Sequence, residues 1–496
     1  MSIMSMMRKI AVLMIVFVML IPSFASCGKK TSPPTENSSE TTDTETDTTA
    51  LYDGQGYLLD NLGTRDYNRP IRIFAWAESA IKEFGVDSTD LRDTLNSAVY
   101  SRNLVVENRM GVTLEYQYQD GWDSKMYDFA AKAKILAELG DIDMIAGYSM
   151  AASLLMVQGV SADLTSMNNL DFEKPWWPKY LIEKCRLYDD LYFCTGDIAP
   201  SLFRESYLIF YNKNLAEANS LPDLYEVVEN QEWTIEKMFE LGSLVSENND
   251  AVKDENDIFG FTTYRTFTDA FYQGSGLMTI ENAPDGSIMI SDDFGSSKTH
   301  SLLKKLVGYS QSPDHCFSDY GNNLYLDSWY SGKALFTLNT TQLATRNKEK
   351  GLKFGILPVP KYDREQEDYL TIPGFFYTIY SIPRSADKDA VSAVLECLAS
   401  EGYRKTAPAL FEVIMKARIS EAPEDYYMWD RIKDSLILDS GRIFSEQFEK
   451  HTWSVFRDTL AHCSTNWVSA FGNYRDSLEA QAASLNTVML SIKSMH

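Results

Sequence analysis

The stretch "SRNLVVENRMGVTLEY" (residues 101–116) passes from a helical pattern to a strand pattern. The segment from Ser88 to Arg109 has helical spacing, and Ser88 stands where a side chain can cap the helix. "GVTLEYQY" (111–118) then alternates apolar and polar residues, which is typical of a half-buried strand. The two patterns therefore predict a helix that leads directly into a strand.

The flanking residues extend this unit in both directions. "IRIFAW" (71–76) indicates a buried strand, residues 122–139 have helical spacing, and "DIDMIAG" (141–147) is another short apolar run. A β-α-β-α-β order predicts a parallel sheet with helices on both faces, and ligands of such sheets bind beyond the carboxyl ends of the strands. The ends of the three strands carry Trp76 and Glu78, residues 120–122, and Tyr148 and Ser149.

The N-terminus has the pattern of an export signal. Arg8 and Lys9 precede an apolar run of twelve residues, Ile10 to Ile21, which is shorter than the roughly 20 residues of a membrane-spanning helix. The sequence before Cys27, Phe24-Ala25-Ser26, resembles a bacterial lipobox, so residues 1–26 are expected to be a lipoprotein signal peptide and Cys27 the site of lipidation. An ordinary cleaved signal with an incidental thiol is the alternative.

Residues 27–50 begin with this cysteine and are rich in Thr, Asp and Glu. Such a composition cannot bury enough apolar surface to fold, so we expect a disordered tether. Two acyl chains on one cysteine are sufficient for stable membrane attachment. The expected location is therefore outside the cell, on the outer face of the cell membrane.

The net charge of −24 bounds the possible partners. An acidic surface argues against nucleic acid and favours solubility. Residues 51–496 exceed the ~250–300 residues at which one core stops growing, so two lobes are expected. The sequence has neither metal-ligand spacing nor a phosphate-binding loop, so we expect no metal and no cofactor.

One pair of cysteines invites a structural hypothesis. In "CRLYDDLYFC" (185–194), a two-residue turn at Asp189 and Asp190 would place Cys185 opposite Cys194 on paired strands. A cross-strand disulfide is then possible in an exported protein. Two free thiols remain the alternative.

The rest of the chain gives a coarser prediction. Helices are expected near 206–218, 234–247 and 297–312. "GKALFTLNTTQLATR" (332–346) indicates a strand that leads through Asn339, Thr340 and Thr341 into a helix. The chain from about 383 onward is expected to be mainly helical.

Six stretches, in this order, resemble one family, the extracellular solute-binding proteins (family 1 type) of bacterial ABC importers, in their lipoprotein form. The first is the opening stretch, residues 101–116. The others are "NNLDFEKPWWPKYL" (168–181), "GDIAPSLFRESYLIFYNKNL" (196–215), "DLYEVVENQEWTIEKM" (223–238), "YSGKALFTLNTT" (330–341), and "FGILPVPKYD" (354–363) with "PGFFYTIYSIP" (373–383).

The resemblance implies an α/β, periplasmic-binding-protein-like fold of two lobes with the ligand in the cleft between them. Residues 51–165 plus 332–365 would form the first lobe, and 166–331 plus 366–496 the second, more helical lobe. Lobe closure around a small solute, most naturally a carbohydrate or oligosaccharide, would present the closed form to ABC permease subunits. The expected protein is a monomer that makes and breaks no bond.

For a saccharide ligand, aromatic rings pack against the C–H faces of the sugar, and fixed polar groups replace water at its hydroxyls. Trp176 and Trp177 are expected to pack between the lobes rather than to stack on ligand. The candidate ligand-binding residues are Trp76, Glu78, Tyr148, Ser149, Arg204, Tyr264, Asn339, Thr340, Phe375 and Phe376.

Two other functions remain as alternatives. "AGYSMAA" (146–152) places Ser149 between a predicted strand and a predicted helix, the context of a hydrolase nucleophile, although Ala151 stands where a glycine is expected. A secreted serine hydrolase or esterase using Ser149 is therefore one alternative. A binding protein that serves a sensor or adhesin rather than transport is the other.

Overall fold

The computed structural model describes residues 51–77, 83–248, 250, 252–319 and 321–494. The predicted signal peptide, the tether with Cys27, and Glu78 lie outside the described residues. Tyr52–His496 form one compact unit, and its buried apolar side chains make one connected cluster. Among the described helices, none has the length and apolar character needed to cross a membrane.

The described strands are β1 Arg69–Trp76, β2 Val112–Gln119, β3 Met144–Tyr148, β4 Tyr207–Asn212, β5 Phe259–Tyr264, β6 Ile280–Asn282, β7 Ile288–Ile290, β8 His315–Ser318, β9 Ala334–Thr340, β10 Phe354–Leu357 and β11 Thr378–Ser381. They form two larger sheets and one hairpin, with the strand orders β11-β3-β1-β2, β10-β4-β9-β5-β8 and β6-β7.

Helices make up most of the remaining chain, and the part from 388 onward is mainly helical, as predicted. They are α1 Thr94–Met110, α2 Lys125–Leu139, α3 Ala151–Val157, α4 Lys179–Lys184, α5 Pro200–Arg204, α6 Lys213–Ala218, α7 Leu224–Glu229, α8 Ile235–Val245, α9 Asp269–Gly274, α10 Ser297–Gln311, α11 Leu324–Tyr330, α12 Leu343–Glu349, α13 Lys388–Glu401, α14 Pro423–Asp434, α15 Ser440–Ile443, α16 His451–Ala461, α17 Trp467–Gly472 and α18 Arg475–Lys493. Two π-helical segments, Gly402–Thr406 and Ala409–Ile419, follow α13.

The first sheet has the predicted parallel core. β1 pairs in parallel with both β2 and β3, and β11 adds an antiparallel strand beside β3. Helix α1 starts later than predicted, because Asp93 rather than Ser88 caps it by accepting a hydrogen bond from the Asn96 backbone N–H at 3.0 Å. Gly111 ends the helix with φ 60°, a left-handed conformation that favours glycine.

The second sheet corrects two expectations. Residues 207–212, predicted as helix, form β4, whose side chains are buried throughout; a strand buried on both faces shows no alternation in sequence. Residues 332–365, assigned to the first lobe, contain β9 and β10, and both pair with β4 in the second sheet. The pairing partner of a strand depends on long-range contacts that local patterns do not record.

The segment from 366 onward also departs from its predicted assignment. β11 lies in the first sheet, and α13 packs against α1, which covers that sheet. By contrast, α14 packs against β10 of the second sheet. Residues 366–496 therefore contact both sheets, whereas the sequence predicted that they belonged to the second lobe.

The cysteine hairpin has a shifted turn. Leu187 and Asp190 form the closing bridge, and Tyr188 and Asp189 occupy the turn with φ 52° and 73°. The one-residue shift removes the predicted pairing of Cys185 with Cys194, since Cys194 pairs instead with Tyr380 of β11. Both cysteines are buried free thiols, so the alternative of two free thiols holds and the disulfide hypothesis is wrong.

Candidate functional site

One short segment connects the two larger sheets. The backbone of Tyr207 in β4 donates to the Ile372 carbonyl at 2.9 Å, and the Gly374 N–H donates to the Glu205 carbonyl at 2.7 Å. A few residues later, Thr378 pairs with Tyr148 of β3. We call residues 372–378 the junction, because the chain crosses there from one sheet to the other.

Aromatic side chains of the first sheet gather at the junction. The indole N–H of Trp76 donates to the Thr378 hydroxyl at 2.8 Å, and its ring lies 5.5 Å from that of Tyr148. The Phe376 ring lies 5.6 Å from Tyr148 and 5.6 Å from Trp122. Trp76 and Tyr148 are buried, whereas Trp122 is 41% exposed, so this aromatic row runs from the core to the surface.

Ser149 supports the backbone of the junction. Its hydroxyl is buried and donates to the Phe375 carbonyl at 2.6 Å. A nucleophilic serine would instead donate to a neighbouring base. The geometry therefore gives Ser149 a positioning role at this segment.

A buried ion cluster covers the other face of the junction. The guanidinium of Arg442 lies 3.8 Å from the centre of the Phe375 ring, and that of Arg457 lies 4.1 Å from the Trp453 ring. The Asp269 carboxylate accepts hydrogen bonds from both arginines, at 2.7 Å from Arg442. Burial by itself would lower the pKa of Arg442, but the nearby Asp269, together with Tyr207 and Asp439, raises it, so the guanidinium stays charged.

Several buried polar atoms beside this cluster lack a partner. Within the part of the chain that the structure describes, Arg442 Nη2, Ser445 Oγ and Trp453 Nε1 make no hydrogen bond. An unsatisfied buried polar group costs about 1–3 kcal/mol, so each such atom in a native protein calls for an explanation. Ligand hydroxyls that entered here would supply the missing partners.

Aromatic contacts continue from the junction towards the second sheet. The Phe267 ring lies 5.4 Å from Tyr207 and 5.6 Å from Tyr264. Tyr264 is also 5.8 Å from Tyr325. The predicted residue Tyr264 is therefore linked to the junction through a chain of rings.

Among the described residues, no hydrogen bond or strand pairing joins Arg204, Asn339 or Thr340 directly to residues 372–378. Asn339 accepts a hydrogen bond from the Thr340 N–H at 2.8 Å, which is a local turn contact. Arg204 contributes its carbonyl to the Gln342 N–H at 3.1 Å, while its neighbour Glu205 contacts the junction through Gly374. The residues that the junction brings together are Trp76, Tyr148, Ser149, Phe375 and Phe376.

Sequence reasoning missed other residues of the site. Trp122 follows the second strand of the parallel sheet, so the rule that selected Trp76 and Tyr148 could also have selected it. Asp269, Arg442 and Trp453 lie in helices far along the chain. No local pattern marks these residues, since long-range packing alone unites them.

A large cavity lies apart from these residues. It has a volume of about 1310 Å³, and none of the predicted ligand-binding residues lines it. Trp176 and Trp177 form part of its wall. Both are buried and donate their indole N–H to Glu396 at 3.0 Å. Because the predicted residues converge at the junction instead, we take the junction as the candidate site.

The electrostatics of this wall are unusual. Burial raises the pKa of Glu396 to about 8, and the two indoles oppose that shift. Among the described residues, no cluster of His, Cys, Asp or Glu could hold a metal ion.

Comparison with solved structures places this architecture among solute-binding proteins. An ABC substrate-binding protein from Listeria monocytogenes, in complex with cycloalternan, has 13% identity and a TM-score of 0.52 over 85% of this chain and 99% of that chain. A cyclic α-maltosyl-1,6-maltose binding protein from Arthrobacter globiformis has 12% identity and a TM-score of 0.53, covering 83% and 98%. A family 1 extracellular solute-binding protein from Bifidobacterium longum subsp. infantis has 12% identity and a TM-score of 0.52, covering 85% and 100%.

The chain has the fold of the extracellular solute-binding proteins. This confirms the α/β, periplasmic-binding-protein-like fold class that the sequence indicated. No protein-family model and no curated protein matches the sequence. At this level of identity the likeness concerns the fold. The solved neighbours are binding proteins rather than enzymes.

Proposed function

We propose that this protein is a substrate-binding component of an ABC transporter and that it binds a carbohydrate at the junction. The observation that carries the proposal is the composition of that site. Aromatic rings from the first sheet, rings from the second sheet and partnerless polar atoms from the C-terminal helices meet there. The saccharides named for the Listeria and Arthrobacter neighbours support the same ligand class.

The chemistry of sugars fits this arrangement. Pyranose C–H faces pack on aromatic rings, and each hydroxyl requires a polar partner when it leaves water. Each exchanged hydrogen bond contributes only about 0.5–1.5 kcal/mol, so affinity needs several of them together with aromatic burial. Trp122 and Phe376 would supply the faces, and Arg442 and Trp453 would supply hydrogen-bond donors.

Binding at a segment shared by two sheets suggests how transport follows. A ligand that contacts both sheets stabilises the arrangement in which they are closed upon it, and permease subunits would then recognise that arrangement. A two-lobed arrangement, export, and a diacyl anchor on Cys27 belong to this proposal. Retention at the membrane after Cys27→Ser would contradict the anchor.

A saccharide screen tests the binding function. In a thermal-shift assay, a bound sugar at 100 times its Kd should add about 2.7 kcal/mol of stability. Calorimetric titration of the best sugar should show an affinity at least tenfold weaker for Trp122→Ala, because one stacking face is lost. Tyr118→Ala is the matched control, since Tyr118 is an exposed aromatic residue of β2, the strand that precedes Trp122, and the affinity of this variant should stay within twofold of wild type.

Two results would overturn the proposal. One is a Trp122→Ala variant that binds the sugar as tightly as wild type. The other is turnover of an ester or glycoside that disappears in Ser149→Ala, which would favour a hydrolase.

A further inference from the structure

The 1310 Å³ cavity is larger than the roughly 300–1,000 Å³ typical of small-molecule sites. Its wall combines several segments that are distant in sequence. The segments are residues 174–180, 196–203, 225–229, 368–370, 403–411 and 424–437. Since the junction residues are absent from this wall, the cavity is a separate space.

Aromatic rings form much of the cavity wall. The Tyr403 ring packs 5.9 Å from Trp176, which fixes it at one side. Phe411 and Phe203 are in contact at 4.1 Å between ring centres. Tyr427 is 68% exposed, so its ring is accessible to a molecule that enters from solvent.

The wall also carries charged side chains, among them Asp197 and Lys433. Burial raises the pKa of Asp197 to about 6, and the charge of Lys433 opposes that shift. The Lys433 ammonium lies 4.2 Å above the Phe411 ring. Throughout the described ranges, neither the Asp197 carboxylate nor the Lys433 ammonium makes a hydrogen bond or an ion pair. Each charged group is therefore available to a ligand.

We propose that this cavity is a second carbohydrate-binding site, separate from the junction. The argument is chemical. A sugar hydroxyl both donates and accepts, so one sugar can donate to Asp197 and accept from Lys433. The aromatic wall offers the apolar surface that the C–H faces of the ring require. The Asp197 carboxylate would repel a purely anionic ligand, and the Lys433 ammonium would repel a purely cationic one.

The cavity and the junction share their supporting segments. Phe203 lines the cavity, whereas Tyr207, four residues later, contacts the junction. Leu370 lines the cavity just before the chain enters the junction, and Ile437 lines it just before Arg442. Occupation of either site therefore restrains segments of the other, and any resulting change in affinity must be reciprocal.

Calorimetry on the full chain tests this proposal. The probes are gluco-, xylo- and manno-oligosaccharides, titrated into wild type, Lys433→Gln, Asp197→Asn and Trp122→Ala. Lys304→Gln is the control for charge, because Lys304 is an exposed lysine outside the cavity wall. Circular dichroism and the Tm establish that each variant is folded.

We expect two equivalents of a saccharide per chain, one of which weakens at least tenfold in Lys433→Gln and in Asp197→Asn but not in Lys304→Gln. A single equivalent that both cavity variants weaken and Trp122→Ala leaves intact would support the cavity and contradict the junction. A single equivalent that only Trp122→Ala weakens would overturn the cavity site. Failure of every probe to bind would overturn both sites.

Discussion

The junction and the cavity are both rich in aromatic residues, but they differ in how their charged groups are paired. At the junction, the Asp269 carboxylate forms ion pairs with both Arg442 and Arg457, and the rings contact one another. At the cavity, Asp197 and Lys433 line open space, and among the described residues neither of their charged groups makes a hydrogen bond or an ion pair. Aromatic content therefore does not locate a ligand. The informative features are the polar atoms that the protein itself leaves unsatisfied.

The first prediction concerns the Asp269 carboxylate, which forms ion pairs with two arginines at the junction. Asp269→Asn leaves two buried guanidinium groups without their carboxylate, and loss of one partner of a buried ion pair typically costs about 3–5 kcal/mol. Urea denaturation should therefore show a loss of this size. Glu479→Gln breaks an exposed pair with Arg475 and should cost less than about 1 kcal/mol. Equal losses in the two variants would contradict the account of the junction.

The second prediction concerns Glu396, which supports the cavity wall. Its pKa of about 8 in the folded protein lies above its ordinary value of 4.5. A raised pKa contributes stability that is fully present below about pH 4.5 and is lost as the pH rises through about 8. Wild type should therefore lose stability relative to Glu396→Gln over that range, by up to about 1.4 kcal/mol per pH unit. A stability difference that is independent of pH would show that Glu396 is ionised throughout.

The third prediction concerns a hydrogen bond between α2 and the C-terminal region. The Tyr127 hydroxyl donates to the Glu446 carboxylate, and this bond raises the pKa of Tyr127 to about 12. Because Tyr127 is 46% exposed, Tyr127→Phe should lower the unfolding free energy by no more than about 1 kcal/mol. Chemical denaturation measures the loss. A loss near that of Asp269→Asn would mean that this contact matters more than the ion cluster.

The last prediction, with the smallest expected effect, concerns which cysteine thiols react in the native and in the denatured protein. Cys185 directly follows α4, whose first residues line the cavity, and Cys194 pairs with Tyr380 of β11, the strand that follows the junction. Among the described cysteines, only Cys463 is exposed, so it alone should react with a thiol reagent in the native protein. After denaturation without reductant, Cys185 and Cys194 should react as well. Their failure to react would restore the disulfide hypothesis.

The sequence predicted the parallel sheet well because its signals are local. Strand and helix patterns alternate from 71 to 147, and that order alone determines a parallel arrangement. The second sheet was harder to predict, because β4 is apolar on both faces and its partners β9 and β10 lie more than a hundred residues away. Strand pairing at that distance leaves no trace in a local pattern.

The same distinction applies to the site. Trp76 and Tyr148 were found from their positions at strand ends, and Phe375 and Phe376 from the Pro-Gly kink before them. Arg442 and Trp453 reach the junction only through helix packing, so composition and spacing gave no reason to choose them. Arg204 is one residue from Glu205, whose backbone carbonyl contacts the junction, so even a correct segment does not determine which residue makes the contact.

A crystal structure of the protein with the best saccharide from the screen tests the central claim most directly. The account predicts a sugar ring stacked on Trp122 or Phe376, with a hydroxyl within hydrogen-bond distance of Arg442 Nη2 or Trp453 Nε1. A sugar bound in the cavity as well would agree with both sites. A structure with saccharide only at a position remote from residues 372–378 would contradict the claim.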